Sequence, residues 1–92
     1  MTMSTTVRMY ATRTCPYCIR AESLLVHKGV TNIDKILVDL EPARREEMTD
    51  ASGGRRTVPQ IFINGTHVGG CDDLFALEHA GRLDALLAGT AG

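Results

Sequence analysis

No stretch of this sequence approaches the roughly 20 consecutive apolar residues that a membrane helix needs. Its longest uncharged runs, such as Val58 to Gly65, are far shorter and carry polar residues, so no membrane partner is expected. An excess of charge of one sign is also missing. Ten Lys and Arg stand against eleven Asp and Glu, a net charge of -1. That balance offers nothing to hold a phosphate backbone, and nucleic acid is not an expected partner. The start of the chain lacks the apolar block of a secretory signal: Met1 to Thr6 is mostly polar, and Val7-Arg8-Met9-Tyr10 carries a charge. A cytoplasmic protein is expected. Low-complexity tracts, repeats and linkers are absent, and 92 residues at 43% hydrophobic fit one compact domain over 1–92. Cysteine is scarce and odd in number. Three of them argue against a scaffold of paired bridges and point to a reducing compartment, with thiols kept for chemistry.

What is present is clear periodicity. Thr6-Val7-Arg8-Met9-Tyr10-Ala11 alternates apolar and polar residues and predicts a first strand. Pro16 suits a first helical position, and Cys18, Ala21, Leu24 and Leu25 recur at helical spacing until Gly29. Ile33 to Val38 reads as a second strand, which a right-handed crossover makes the parallel neighbour of the first. Pro42 opens a short charged helix over Ala43 to Ala51. Gln60-Ile61-Phe62-Ile63 and Thr66-His67-Val68 flank Asn64-Gly65, a strong signal for an antiparallel hairpin. After Gly69-Gly70, Asp72 and Asp73 suit the first turn of a helix, and the leucines either side of Gly81 mark two short helices. This order predicts an α/β chain with a thioredoxin-like fold, a four-stranded mixed sheet flanked by helices.

The chemistry gathers at Cys15-Pro16-Tyr17-Cys18, between the end of a strand and the start of a helix. Free N–H groups and the helix dipole favour negative charge at Cys15, and such sites bring a thiol from about 8.5 into the range of roughly 3.5 to 7.5. Cys18 shares the face of Ala21 and Leu25 and is expected to turn inward, within bridging reach of Cys15. A three-unit drop would raise the thiolate fraction at pH 7 roughly 30-fold while lowering intrinsic nucleophilicity about 20-fold. The net gain lies in Cys15 as a leaving group, which suits turnover through mixed disulfides.

These residues resemble the small dithiol class of glutaredoxins. The resemblance rests on Cys15-Pro16-Tyr17-Cys18, on Thr57-Val58-Pro59-Gln60-Ile61-Phe62-Ile63, and on Gly69-Gly70-Cys71-Asp72-Asp73-Leu74, and it covers essentially the whole chain. It implies a glutathione-dependent thiol-disulfide oxidoreductase that takes electrons from reduced glutathione and acts on disulfide-containing or glutathionylated proteins. By the same resemblance Cys15 is the nucleophile, Cys18 the resolving thiol and Tyr17 the aromatic beside the tripeptide. Thr57 and Val58 form the loop before a proline that is cis in the family, Pro59. Whether it is cis here, or merely begins an edge strand, the sequence leaves open. Gly70, Cys71, Asp72 and Asp73 would receive the γ-glutamyl end, a carboxylate holding the ammonium and helix N–H groups the carboxylate. One position departs from the pattern. The family's basic residue lies three before the nucleophile, where this chain has Thr12 and places the charge at Arg13. If both residues stay extended, Arg13 points away, and Arg44, Arg55 or Arg56 are the other candidates for the glycyl carboxylate.

Cys71 is read as a packed residue with no redox role of its own. A zinc site drawn from Cys15, Cys18, Cys71 and His67 or His79 lacks a tight ligand spacing, and no metal is expected. His27 and His79 suit helix C-termini, and His67 reads as a strand surface residue. The alternative function is an iron–sulfur carrier, a dimer bridging a cluster through Cys15 and glutathione. Pro16 and the second thiol, Cys18, favour the dithiol enzyme instead, and a monomer is expected.

Overall fold

The computed structural model describes residues 5–89; residues 1–4, part of the polar start read against export, lie outside them. Strand β1 spans Val7–Ala11, helix α1 Pro16–His27, strand β2 Ile33–Leu37 and helix α2 Pro42–Ala51. They are followed by β3 (Gln60–Ile63), β4 (Thr66–Gly69), α3 (Cys71–His79) and α4 (Leu83–Leu87). The strands lie in the order β2-β1-β3-β4. β1 runs parallel to β2 and antiparallel to β3, and β3 pairs antiparallel with β4. This is the mixed α/β sheet expected from the βαβ unit and the hairpin.

Because β1 is central, both of its faces carry buried residues, and Arg8 alone of its five is exposed. Val7, Met9 and Ala11 pack with Cys18, Ala21 and Leu25 of α1, Leu74 of α3, and Leu83 and Leu87 of α4. On the other face Tyr10 packs with Ile36, Val38 and Met48. Met48 is the one buried residue of α2, so that helix is anchored by a single apolar side chain, contributing roughly 1.5–3 kcal/mol. The Tyr10 hydroxyl adds a hydrogen bond to Glu47.

The hairpin turn follows its sequence signal. Asn64 and Gly65 both have positive φ, 50° and 83°, as a type I′ turn requires. Asn64 also ties the turn to its surroundings: its side chain accepts the Thr6 N–H at 2.9 Å and donates to the Leu86 carbonyl at 3.0 Å. Three strand boundaries differ from expectation. β2 ends at Leu37, although the Val38 N–H still reaches the Ala11 carbonyl at 2.9 Å. β4 extends to Gly69 because a bulge intervenes: Ile61 pairs with Gly69 but Phe62 with His67, which leaves Val68 unpaired. β1 begins at Val7 rather than Thr6, whereas α3 starts at Cys71 and so carries Asp72 and Asp73 in its first turn, as expected.

These connections bring three segments together. The turn after β1 delivers Cys15 to the mouth of α1, Thr57 to Pro59 lead into β3, and Gly70 opens α3.

Candidate active site

Cys15 is the N-cap of α1, with extended backbone at φ -89° and ψ 112°. Its sulfur accepts the Cys18 N–H at 3.3 Å, and its carbonyl accepts the Ile19 N–H at 3.1 Å. Pro16 occupies the first helical turn, where its missing N–H costs nothing. All three cysteines are free thiols; Cys15 is partly exposed, while Cys18 and Cys71 are buried. Burial, and then the contact with Cys15, pushes the Cys18 thiol up to about 12. Burial likewise pushes the Cys71 thiol up. The two thiols of the motif are thus unequal, one at a donor-rich helix end and the other held neutral in the core.

Opposite the thiols lies the Thr57 to Pro59 segment, in which the Val58–Pro59 peptide bond is cis. The Val58 carbonyl faces the Cys15 sulfur at 4.0 Å. Val58 lies outside β3, and its N–H has no hydrogen-bond partner among the described residues. Beside this segment runs a groove of about 160 Å³. One wall carries Thr57, Val58 and Pro59; the other is the start of α3 from Gly70 to Asp73, with Tyr17 and Arg55 at its rim. Tyr17 is 56% exposed, a large aromatic left uncovered next to Cys18. A larger hollow of about 560 Å³ lies along α2 between Arg45, Thr49 and Arg56, but it contains no thiol and no group suited to electron transfer. Chemistry, not size, selects the groove beside Cys15.

The two aspartates have different tasks. Asp73 accepts the Gly70 N–H at 2.8 Å and a proton of the Arg55 guanidinium at 3.1 Å. The Gly70 peptide and the Arg55 charge hold its carboxyl below the usual range. Asp72 is exposed and makes no hydrogen bond within the described residues, so its charge faces solvent at the groove. Gly69, at φ 115°, allows this arrangement: a methyl group there would collide with the Asp73 carboxylate.

Nine of the site residues expected from the sequence meet here: Cys15 and Cys18 at the helix mouth, Tyr17, Thr57, Val58, Pro59, Gly70, Cys71 and Asp72 around the groove, and Asp73 makes a tenth. Arg13 does not join them. The strand ends at Ala11; Arg13 and Thr14 form a turn rather than continuing β1, and Arg13 swings to Asp39, its Nε 2.8 Å from the carboxylate. The basic side chain in the groove is Arg55, one of the three alternatives. His67 also departs from expectation. It is half-buried, stacked on Phe62, and its Nε2 is 2.8 Å from Oε1 of Gln60. Gln60 itself drew no attention in the sequence; an amide among strand-forming apolar residues, seven positions from a histidine across a hairpin, is the signal that could have found it. Among the described residues no group of three or more His, Cys, Asp or Glu side chains is arranged to hold a metal ion. No helix there is long and apolar enough to cross a membrane.

A capping thiol, a buried partner one turn on, and a cis-proline loop facing them across a mixed sheet define a thiol-disulfide oxidoreductase of the thioredoxin fold. The glutaredoxin family profile matches residues 7–68. The chain is 54% identical over 81 residues to Glutaredoxin 3 of Escherichia coli strain K12, covering 88% of this chain and 95% of that protein. It is 56% identical over 82 residues to the glutaredoxin of Pseudomonas aeruginosa, covering 89% and 95%. The crystal structure of a buckwheat glutaredoxin–glutathione complex superposes with a TM-score of 0.82 at 30% identity, covering 97% of this chain and 84% of that one. The chain belongs to the glutaredoxin family of glutathione-dependent oxidoreductases.

Proposed function

We propose that this chain reduces glutathione mixed disulfides and protein disulfides through Cys15 and Cys18, with reduced glutathione bound in the groove as electron donor. The observation that carries the reading is the Cys15 sulfur, which takes a peptide N–H at 3.3 Å and lies 4.0 Å from the carbonyl of Val58, a residue that lines the groove together with charged groups. The groove suits the tripeptide chemically. The unpaired N–H of Val58 and its carbonyl offer a strand-like pair to the cysteinyl peptide. Asp72 offers a carboxylate to the α-ammonium, and the first N–H groups of α3 offer donors to the α-carboxylate. Arg55 is the cation near the remaining carboxylate.

In the first reaction the Cys15 thiolate attacks the glutathionyl sulfur of a mixed disulfide. A bond forms between Cys15 and glutathione, and the target protein leaves as thiolate and takes a proton. A second glutathione thiolate then attacks the glutathionyl sulfur on Cys15, which releases oxidised glutathione and the free Cys15 thiolate. One glutathione is consumed: its sulfur gives up one electron and the target sulfur gains one, while the original glutathionyl sulfur stays at the disulfide level in the oxidised glutathione released.

A protein disulfide needs both thiols. Cys15 attacks and remains bonded to the target; Cys18 then attacks the Cys15 sulfur, the second target thiolate departs, and an internal disulfide is left. Two glutathiones restore the dithiol and leave as oxidised glutathione. Cys18 is held neutral mainly by burial and next by its contact with Cys15, so it gives up its proton as it attacks, and the departing target thiolate takes one up. The test is a coupled assay with glutathione and glutathione reductase against one with thioredoxin reductase. Activity with the first alone supports the reading, and activity with the second alone rejects it.

A further inference from the structure

Gln60 is fully buried, at 0% exposure, on the face of β3 opposite the thiols' helix. A buried amide is costly unless its hydrogen bonds are met. Here they are met in one way only. The Thr57 carbonyl can accept but not donate, so the amide nitrogen must face it, and Nε2 lies 3.0 Å from that oxygen and 3.3 Å from Thr57 Oγ1. Oε1 then points the other way. Since that oxygen can only accept, His67 Nε2, 2.8 Å from it, must carry a proton. The imidazole is in turn held against Phe62, with 4.9 Å between ring centres.

This chain of bonds runs between the two walls of the groove without entering it. Thr57 begins the loop whose next carbonyl faces Cys15. His67 lies just before the bulge that leads through Gly69 to Gly70 and Asp73. The ladder shifts register there, with His67 opposite Phe62 and Gly69 opposite Ile61, so the side-chain link adds a second tie beside the bulge.

We infer that Gln60, held by His67, is a positioning residue for glutathione: it fixes the Thr57–Val58 loop relative to the start of α3. The inference rests on the proposed reading of the groove as the glutathione site. A tripeptide must touch both walls at once, so its binding depends on their spacing. Attack by Cys15 on a small electrophile does not.

The test compares Gln60→Met, which keeps the volume and removes the hydrogen bonds, with Asp72→Ala as a groove control. KM and kcat for reduced glutathione are measured on a glutathionylated peptide, alongside the rate of Cys15 alkylation by iodoacetamide. Gln60→Met is expected to raise KM for glutathione roughly 5- to 10-fold, the effect of one or two neutral hydrogen bonds, with alkylation within about 2-fold of the parent. A raised KM in Asp72→Ala but not in Gln60→Met would overturn the inference and leave the groove reading intact. An unchanged KM in both would overturn the two together. A loss of kcat that merely follows the unfolded fraction would make Gln60 structural and also reject the inference. Should Gln60→Met not fold, His67→Gln, which keeps a donor, and His67→Leu, which does not, take its place. KM is expected to rise only in His67→Leu, and equal KM values in the pair would overturn the inference.

Discussion

Cys18 donates its peptide N–H to the sulfur of Cys15 at 3.3 Å while its own thiol is buried in the core. Backbone and side chain of one residue thus act in opposite directions, the first favouring charge on the neighbour and the second resisting charge on itself. The Cys18 thiol, pushed up to about 12, stays protonated at neutral pH, and burial does the same for Cys71. Limited treatment with iodoacetamide at pH 7 should therefore label Cys15 alone. Peptide mass mapping checks this, and appreciable early label on Cys18 or Cys71 would contradict the assigned roles.

Asp72 and Asp73 should separate binding from stability. Asp72 has no bond within the described residues to lose, so Asp72→Ala should leave the unfolding midpoint nearly unchanged. Losing a charge-assisted contact to glutathione costs about 1.5 to 3 kcal/mol, roughly 10- to 150-fold in affinity. Asp73→Ala removes the acceptor for the Gly70 N–H and the Arg55 partner and should lower the midpoint as well. Denaturant melts and glutathione kinetics on both variants decide the matter.

Most of the fold was legible because its signals are local. Asn64-Gly65 fixes a two-residue turn whatever surrounds it, and Pro16 after Cys15 marks a helix start by its own fixed φ. The groove was legible in its residue types but not in their division of labour. Two adjacent aspartates read alike in the sequence, and only the folded turn gives one of them to Gly70 and Arg55. Arg13 was misplaced because the strand ends at Ala11 and the following turn, not strand alternation, sets its direction. The Gln60 to His67 bond was invisible for a related reason: an extra residue at Val68 sets which residue of β4 faces which of β3, and no local pattern announces it.

The Asp73 carboxyl is held below its ordinary value in the fold by Gly70 and Arg55. Its folded value lies below the unfolded one of about 3.9, so its contribution to stability is present above that pH and is lost as pH falls through the folded value. Other acids are lowered too, Asp39 by Arg13 and Glu47 by Tyr10 and Arg44, so the useful quantity is a difference. The stability gap between the parent and Asp73→Asn should be largest near pH 7 and should shrink below about pH 4. Denaturant unfolding of both proteins over a series from pH 7 down to about pH 2 measures it; a gap that does not shrink at all as pH falls below about 4 would mean that the charge of Asp73 is not the source.

The inequality of the two thiols also predicts a division of activities. Removing glutathione from a protein requires only that Cys15 accept the glutathionyl group and release it to a second glutathione. Cys18 takes no part in that exchange. Reducing a protein disulfide leaves the target bonded to Cys15, and Cys18, one turn away on the same helix, competes for that bond at an effective concentration that free glutathione does not reach. Cys18→Ser should therefore retain deglutathionylation, and even raise it where an internal disulfide would otherwise divert the enzyme, while losing most reduction of protein disulfides. Cys15→Ser should lose both. Paired assays on a glutathionylated peptide and on a protein with one accessible disulfide distinguish the cases. If Cys18→Ser lost both activities equally, the exchange through Cys15 alone would not operate, and the chain would work as an obligate dithiol reductase.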